Sequence, residues 1–370
     1  MRHRGPQGAA GHLARHLAAA PHPPPTADLD GFLKGIATAL RSSSYEAVLP
    51  SSDAETFALS LGRDRLPIPL PYSGPRGGPW RLRQAGADPG GGRTWGRDAR
   101  TAPATDASVA GKGPVVVKVR FHWRPDSVGM PGRWRTYLCG DREEARRRIA
   151  EIRAGGDPLL QEVVRGPLLH CHVLVDRSGD LVVAVQQRSE PVTETPLTWP
   201  PGAGVRVRSV TIPLDQELVA KITVLLRRLG WFGFVGLMFI VGADGVPRLV
   251  DFNGRIPMSV QQSIAACPQL PDLWARVAAG RPIGGRPAVQ TGVRYQWLWG
   301  DLRRAVIEAR GGRLADVLGC LAYARGAVHG IWSTEDPWPA LRSWQRNLGQ
   351  LLHRLVKVPR RRSRSALELR

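Results

Sequence analysis

The chain has 370 residues, 42% of them hydrophobic, and a formal net charge of +21. This composition excludes an intrinsically disordered chain, and the length allows two or three lobes with sizeable cores. Only five of the 52 basic residues are lysine, and the arginines are scattered over every segment, a weaker nucleic-acid signal than a clustered basic patch.

In chain order, residues 1–28 are rich in Ala, His, Pro and Arg and are expected to be poorly ordered. Residues 29–75 read as a partial α/β lobe: a helix over Asp30–Leu40, a strand over Tyr45–Pro50 that runs into Ser51-Ser52-Asp53, and a helix from Ala54 to about Leu61. This is the end of an α/β unit without its first strand and helix. Residues 67–113 are dense in Pro, Gly and Arg and predict loops and a linker.

A main domain is expected over 76–285. Pro114–Val119 is a β-branched run of strand length. Asp141 to Ala154 predicts a helix, with Asp141 as its cap, Glu144 three residues on, and Ala145, Ile149 and Ile152 on one face. Strands follow at about 158–164, 167–175 and 181–186, the last two joined by a turn at Asp176–Asp180. A helix over Gln216–Leu229, capped by Asp215, carries the stripe Leu218, Val219, Ile222, Leu225, Leu226 and Leu229. Two apolar runs then flank Ala243-Asp244-Gly245 and end at Arg255. Pro271 opens another helix that Gly280 ends. Residues 286–358 predict a helical extension, with helices over 301–325 and 338–356, and 359–370 is a basic tail.

The four cysteines, Cys139, Cys171, Cys267 and Cys320, form no CxxC pair, which argues against a disulfide framework or structural zinc. The first twenty residues lack the apolar run of a secretory leader. The apolar stretch Leu229–Gly242 falls short of the ~20 residues a membrane-spanning helix needs. A cytoplasmic protein is expected.

The chemistry concentrates in three places. Asp251 and Asn253 are two apart on a strand and so share a face, where they can hold one hard cation, with Arg255 on the same side if the strand persists. Oxygen ligands plus a guanidinium suit a magnesium-bound polyphosphate. The competing reading is that Asn253-Gly254 is only a hairpin turn. Lys118 ends a valine run, where an ammonium wants an anionic partner such as phosphate; the competing reading is an edge position in water. Leu159–Gly166 is a strand leading into a turn, whose backbone can meet the edge of adenine. His170 and His172 are also two apart, but no third ligand accompanies them. His329 reads as a loop residue.

In this order, Pro-Val-Val-Val-Lys118, then Gln161-Glu162-x-x-x-Gly166, then Asp251-x-Asn253-x-Arg255, the chain resembles the ATP-grasp superfamily over about residues 45–285. With the Leu-Pro-x-Leu-Trp-Ala and Gly-Arg-Pro stretches that follow, it is similar to an actinobacterial-type branch labelled carboxylate–amine ligase. The resemblance implies an α/β (α+β) fold of two lobes enclosing a nucleotide, after a truncated N-terminal lobe. It implies that Lys118 contacts ATP phosphates, that Glu162, Val163 and Val164 bind adenine, that Asp251 and Asn253 hold Mg2+, and that Arg255 steadies the transferred phosphate. The implied reaction joins a small-molecule carboxylate to an amine through an acylphosphate.

Three features depart from the pattern. Met238 stands where a further metal-binding acid is usual, and no carboxylate occurs between Gly230 and Gly242. Phe121–Gly129 replaces a Gly-rich phosphate loop, and an Asp-Lys pair is missing near Trp80–Arg83. A second reading is therefore a nucleotide-binding protein without turnover. A third, resting on the helix over 338–356 and the tail Arg360–Arg364, is a basic protein that binds a membrane surface or nucleic acid.

Overall fold

The computed structural model describes residues 22–42, 44–45, 47–68, 70, 72, 99–105, 113–120, 136–153, 156–190, 207–308 and 311–357. Residues 1–21, most of the expected linker, the Trp80–Arg83 and Phe121–Gly129 stretches and the basic tail lie outside the described residues.

The first two helices are α1 (Leu29–Ser42) and α2 (Asp53–Leu61). Helix α2 begins with a capping box: the Ser52 hydroxyl accepts from Glu55 N, and the Glu55 carboxylate accepts from Ser52 N. This satisfies two helix-end donors reciprocally. Residues 47–50, expected as part of a strand, are irregular.

A four-stranded antiparallel sheet follows, from β1 (Thr101–Pro103), β2 (Val115–Val119), β3 (Tyr137–Cys139) and β4 (Pro158–Gln161), in the order β1-β4-β2-β3. Strand β1 falls within the expected linker, and β4 is shorter than the predicted 158–164. Helix α3 (Arg142–Arg153) covers one face, packing Ala145, Ile149 and Ile152 on Val115, Val117, Val119 and Leu160. Burial alternates along β2, so the period of two turns Val116 and Lys118 to the face that α3 does not cover.

The larger sheet has seven strands: β5 (Leu168–Val175), β6 (Leu181–Ser189), β7 (Arg208–Ile212), β8 (Gly233–Val241), β9 (Pro247–Asn253), β10 (Arg294–Gln296) and β11 (Ala327–His329). Their order is β11-β10-β7-β6-β5-β8-β9, antiparallel except for the parallel pair β10–β11. On one face lies α4 (Gln216–Arg228), whose Leu218, Ile222, Leu225 and Leu226 pack on Cys171, Val173, Leu237 and Phe239. Phe32, Leu33 and Leu59 of α1 and α2 belong to the same core. Truncating the fully buried Ile222 to Ala would cost about 2–5 kcal/mol.

On the other face, α5 (Val260–Ala266) and α6 (Leu270–Ala279) bury Ala266, Leu270, Leu273, Trp274 and Val277 against Leu174, Val183, Val185 and Phe234. Gly280 ends α6 in the left-handed conformation. The predicted 301–325 helix is two helices, α7 (Leu298–Glu308) and α8 (Arg313–Ala324). The break falls at Gly311-Gly312, where Gly312 has φ +94°, a backbone no helix contains. The expected helical extension thus also supplies β10 and β11, and His329, expected in a loop, lies in β11.

Both sheets belong to one compact unit, Ala20–Gly330. Residues 331–357 belong to a second unit, which holds α9 (Trp338–Lys357) and a stacked Trp332–Trp344 pair with ring centroids 5.7 Å apart. No helix among the described residues is long and apolar enough to cross a membrane.

Candidate functional site

The site is built on the β8–β9 hairpin. Its turn is closed by Gly245, at φ +74°, and by the Asp244–Arg248 ion pair at 2.8 Å. Hydrogen bonds from Arg248 hold the Asp244 carboxyl down at about 2. Register then pairs Met238 with Asp251 and Phe239 with Leu249, so Val250 is the extra residue of a bulge. Asp251 and Asn253 share a face as their spacing predicts: Asn253 Nδ2 donates to Asp251 Oδ2 at 2.9 Å. The hairpin-turn alternative for Asn253-Gly254 is contradicted, because no strand follows and the next element is α5.

Lys118 arrives from the other sheet. Its face of β2 is the uncovered one, and its Nζ donates to Val250 O at 2.9 Å. The ammonium is therefore next to Asp251 in the chain, not at an edge in water. The β9 bulge explains the acceptor, since it takes Val250 out of the ladder register.

Glu162, Val163 and Val164 lie just beyond β4, in the segment 162–167 that joins the four-stranded sheet to the seven-stranded one. Arg100 N and Nε donate to the Glu162 carboxylate at 3.0 and 2.8 Å, and Glu162 N donates to Arg100 O. Burial pushes the Glu162 carboxyl up, but the Arg100 hydrogen bonds outweigh it and hold it below its ordinary value. The Arg248 charge acts in the same direction. Val241 N donates to Pro167 O at 3.0 Å and Val241 pairs with Pro247, so the end of this segment lies near the start of β9. Gly166, at φ +147°, closes it against the hairpin: a Cβ there would stand 1.8 Å from Val241 O. Only glycine fits.

Arg255 departs from expectation. Strand β9 ends at Asn253, and the following loop carries the guanidinium, whose Nε lies 3.3 Å from Asp53 Oδ1 at the start of α2. Asp53 was not singled out in the sequence, although Ser52-x-x-Glu55 was a legible signal for the helix start that positions it. Met238 is half-buried and directly opposite Asp251. His170 pairs with Met238 across the next strand. His172 shares that face but is buried, its Nδ1 2.7 Å from Ser263 Oγ and 3.1 Å from Gln187 Nε2. Among the described residues no three His, Cys, Asp or Glu cluster as a metal site. All four cysteines are buried and unpaired with one another, and burial pushes each thiol up, Cys139 to about 11.

No protein-family model matches the chain, and no curated protein matches it by sequence. Solved structures do. An N5-carboxyaminoimidazole ribonucleotide synthetase in complex with ADP is 17% identical, with a TM-score of 0.54 over 77% of this chain and 73% of its own. The N5-carboxyaminoimidazole synthetase of Staphylococcus aureus is 10% identical, with a TM-score of 0.54 over 77% and 72%. The biotin carboxylase domain of the Hydrogenobacter thermophilus 2-oxoglutarate carboxylase, solved with MgADP, ADP and bicarbonate, is 15% identical, with a TM-score of 0.52 over 72% and 61%. The chain has the ATP-grasp fold. It spans less than two thirds of the carboxylase domain's length. Within this ATP-grasp fold, β9 gathers the residues singled out in the sequence: the 162–167 segment near its start, Lys118 at its bulge, Asp251 and Asn253 near its end, and Arg255 just past it.

Proposed function

We propose that the chain is an ATP- and magnesium-dependent ligase that joins a small-molecule carboxylate to an amine or similar nucleophile through an acylphosphate. The observation that carries this reading is the order along β9. A nucleotide lying along that strand meets its base, phosphates, cation and transferred phosphate in the same sequence as Glu162–Val164, Lys118, Asp251 with Asn253, and Arg255. That synthetase bound to ADP, and that carboxylase domain bound to MgADP and bicarbonate, support the choice of nucleotide and cation.

The residues fit magnesium. Asp251 offers a carboxylate, and Asn253, which donates its Nδ2 to Asp251, keeps Oδ1 as an acceptor. Hard oxygen ligands of this kind suit a cation that keeps several waters and shares its shell with phosphate oxygens. ATP supplies the phosphoryl group. The backbone at Val163 and Val164 orients the base at the joint between the sheets. The Lys118 ammonium exchanges Val250 O for phosphate oxygens. Arg255 meets the charge on the group in transfer, where positioning and electrostatics do most of the work.

A second reading is a nucleotide-binding protein without turnover, favoured by the thioether of Met238 opposite Asp251. The test is to incubate the full chain with MgATP, hydroxylamine and a panel of carboxylates. Hydroxamate formed in step with ADP supports the ligase. ATP binding with neither product, across a broad panel, supports the second reading.

A further inference from the structure

The loop after β9 does not stand alone. Three interactions tie residues 254–256 to the segment that opens α2. Ile256 N donates to Pro50 O at 3.2 Å, the buried Thr56 hydroxyl donates to Gly254 O at 3.3 Å, and Arg255 Nε meets Asp53 Oδ1 at 3.3 Å. The Asp53 end is itself fixed. The Glu55 carboxylate accepts from Ser51 N, Ser51 Oγ and Ser52 N, and Ser52 Oγ caps Glu55 N. Both members of the Arg255–Asp53 pair are largely withdrawn from water, at 24% and 21% exposure, where a charge pair is screened less than on an open surface.

The way the guanidinium is held matters. Nε faces Asp53, and Nη1 donates to Ile256 O at 3.2 Å. That grip fixes the plane of the fork, and among the described residues Nη2 has no hydrogen-bond acceptor. A long arginine otherwise loses rotamer freedom when it binds an anion, and a pre-positioned one loses less. Pro50 and Thr56 already staple the loop to α2, so the ion pair contributes something those two neutral contacts do not: the direction of the charge.

We propose that Asp53 is a positioning residue that aims the Arg255 guanidinium at the terminal phosphate of the bound nucleotide, making the start of α2 a working part of the phosphate site. This rests on the ATP-dependent reading above. It predicts selectivity between triphosphate and diphosphate, because only the triphosphate carries the group that Arg255 meets.

The experiment measures, for the full chain, the dissociation constants of MgADP and of a non-hydrolysable magnesium–ATP analogue. The proteins are the parent, Asp53→Asn, Asp53→Glu, Arg255→Ala and the Asp53→Asn/Arg255→Ala double variant. The expected result is that Asp53→Asn and Arg255→Ala each lower the triphosphate-over-diphosphate preference by about tenfold with MgADP binding unchanged, the size of one charge-assisted contact. The double variant should lose no more than either single one, because the two residues act as a unit. Asp53→Glu should recover part of the preference, and it also serves if Asp53→Asn does not fold. A purely structural Asp53 would lower the melting temperature yet leave the preference at the parent value, and that result overturns the proposal. Loss of preference in Arg255→Ala with none in Asp53→Asn or Asp53→Glu overturns it too. A parent that binds neither nucleotide fails differently: it removes the ATP-dependent reading itself, and this proposal with it.

Discussion

Met238→Glu places a carboxylate directly across the ladder from Asp251. Side chains so paired have Cβ atoms about 5 Å apart. Two carboxylates at about 5 Å repel by roughly 3 kcal/mol at an effective dielectric constant of ~20. Met238 is half-buried, so solvent screens part of this, and about 2 kcal/mol is the expected loss without a divalent cation. At about 2–4 °C per kcal/mol for a large domain, the melting temperature should fall by roughly 4–8 °C. Magnesium with ATP should reverse the sign, because the same pair then supplies a second charged oxygen ligand to the cation. Thermal melts of parent and variant with ATP, with and without magnesium, provide the assay. The account predicts a magnesium-dependent rise larger in the variant than in the parent. An equal fall in both conditions would mean that position 238 is ordinary sheet packing beside no cation, and the reasoning would be refuted.

Three further outcomes are expected. Gly166→Ala should lower stability in urea melts by more than about 1 kcal/mol, because its φ of +147° and the 1.8 Å approach to Val241 O admit no side chain; parent-like stability would contradict the close contact. Glu162→Gln should flatten the acid limb of the stability curve. The folded pKa of Glu162 is depressed, so its contribution is present above the ordinary carboxylate range and lost as pH falls through the folded value. Because Arg100 is 89% exposed, the effect should stay below about 1 kcal/mol, and an unchanged acid limb counts against the pair. A thiol reagent should leave all four cysteines unlabelled in the native protein at pH 8 and label them after unfolding. For Cys139, raised to about 11, the stabilisation is complete below the ordinary thiol value and lost as pH rises toward 11; rapid native labelling would contradict the burial.

Periodicity made much of this legible. The stripe Leu218, Ile222, Leu225 and Leu226 identified α4, whereas the unbroken valine run gave β2 but not the face of it that carries Lys118, which only its burial in the sheet reveals. The two-residue spacing of Asp251 and Asn253 correctly gave them a shared face. What local pattern could not carry was long-range pairing. Strands β1, β10 and β11 are three residues each, too short for alternation to register, and they exist because neighbours supply their hydrogen bonds. The bulge at Val250 and the Asp53 partner of Arg255 are likewise set by contacts far apart in the chain. The strand does not persist to Arg255 for that reason: β8 runs on to Gly233, but residues 254–256 leave it to meet Pro50, Asp53 and Thr56 instead.

The central claim is that Lys118, Asp251 and Asn253 hold magnesium-bound ATP along β9. Calorimetric titration of ATP into the full chain, with and without magnesium, tests it most directly when repeated on Lys118→Ala and Asp251→Asn. The account predicts saturable binding by the parent that magnesium tightens. It predicts loss of binding in Lys118→Ala, and loss of the magnesium dependence alone in Asp251→Asn. No heat of binding in the parent, or ATP affinity indifferent to magnesium and to both substitutions, would contradict it.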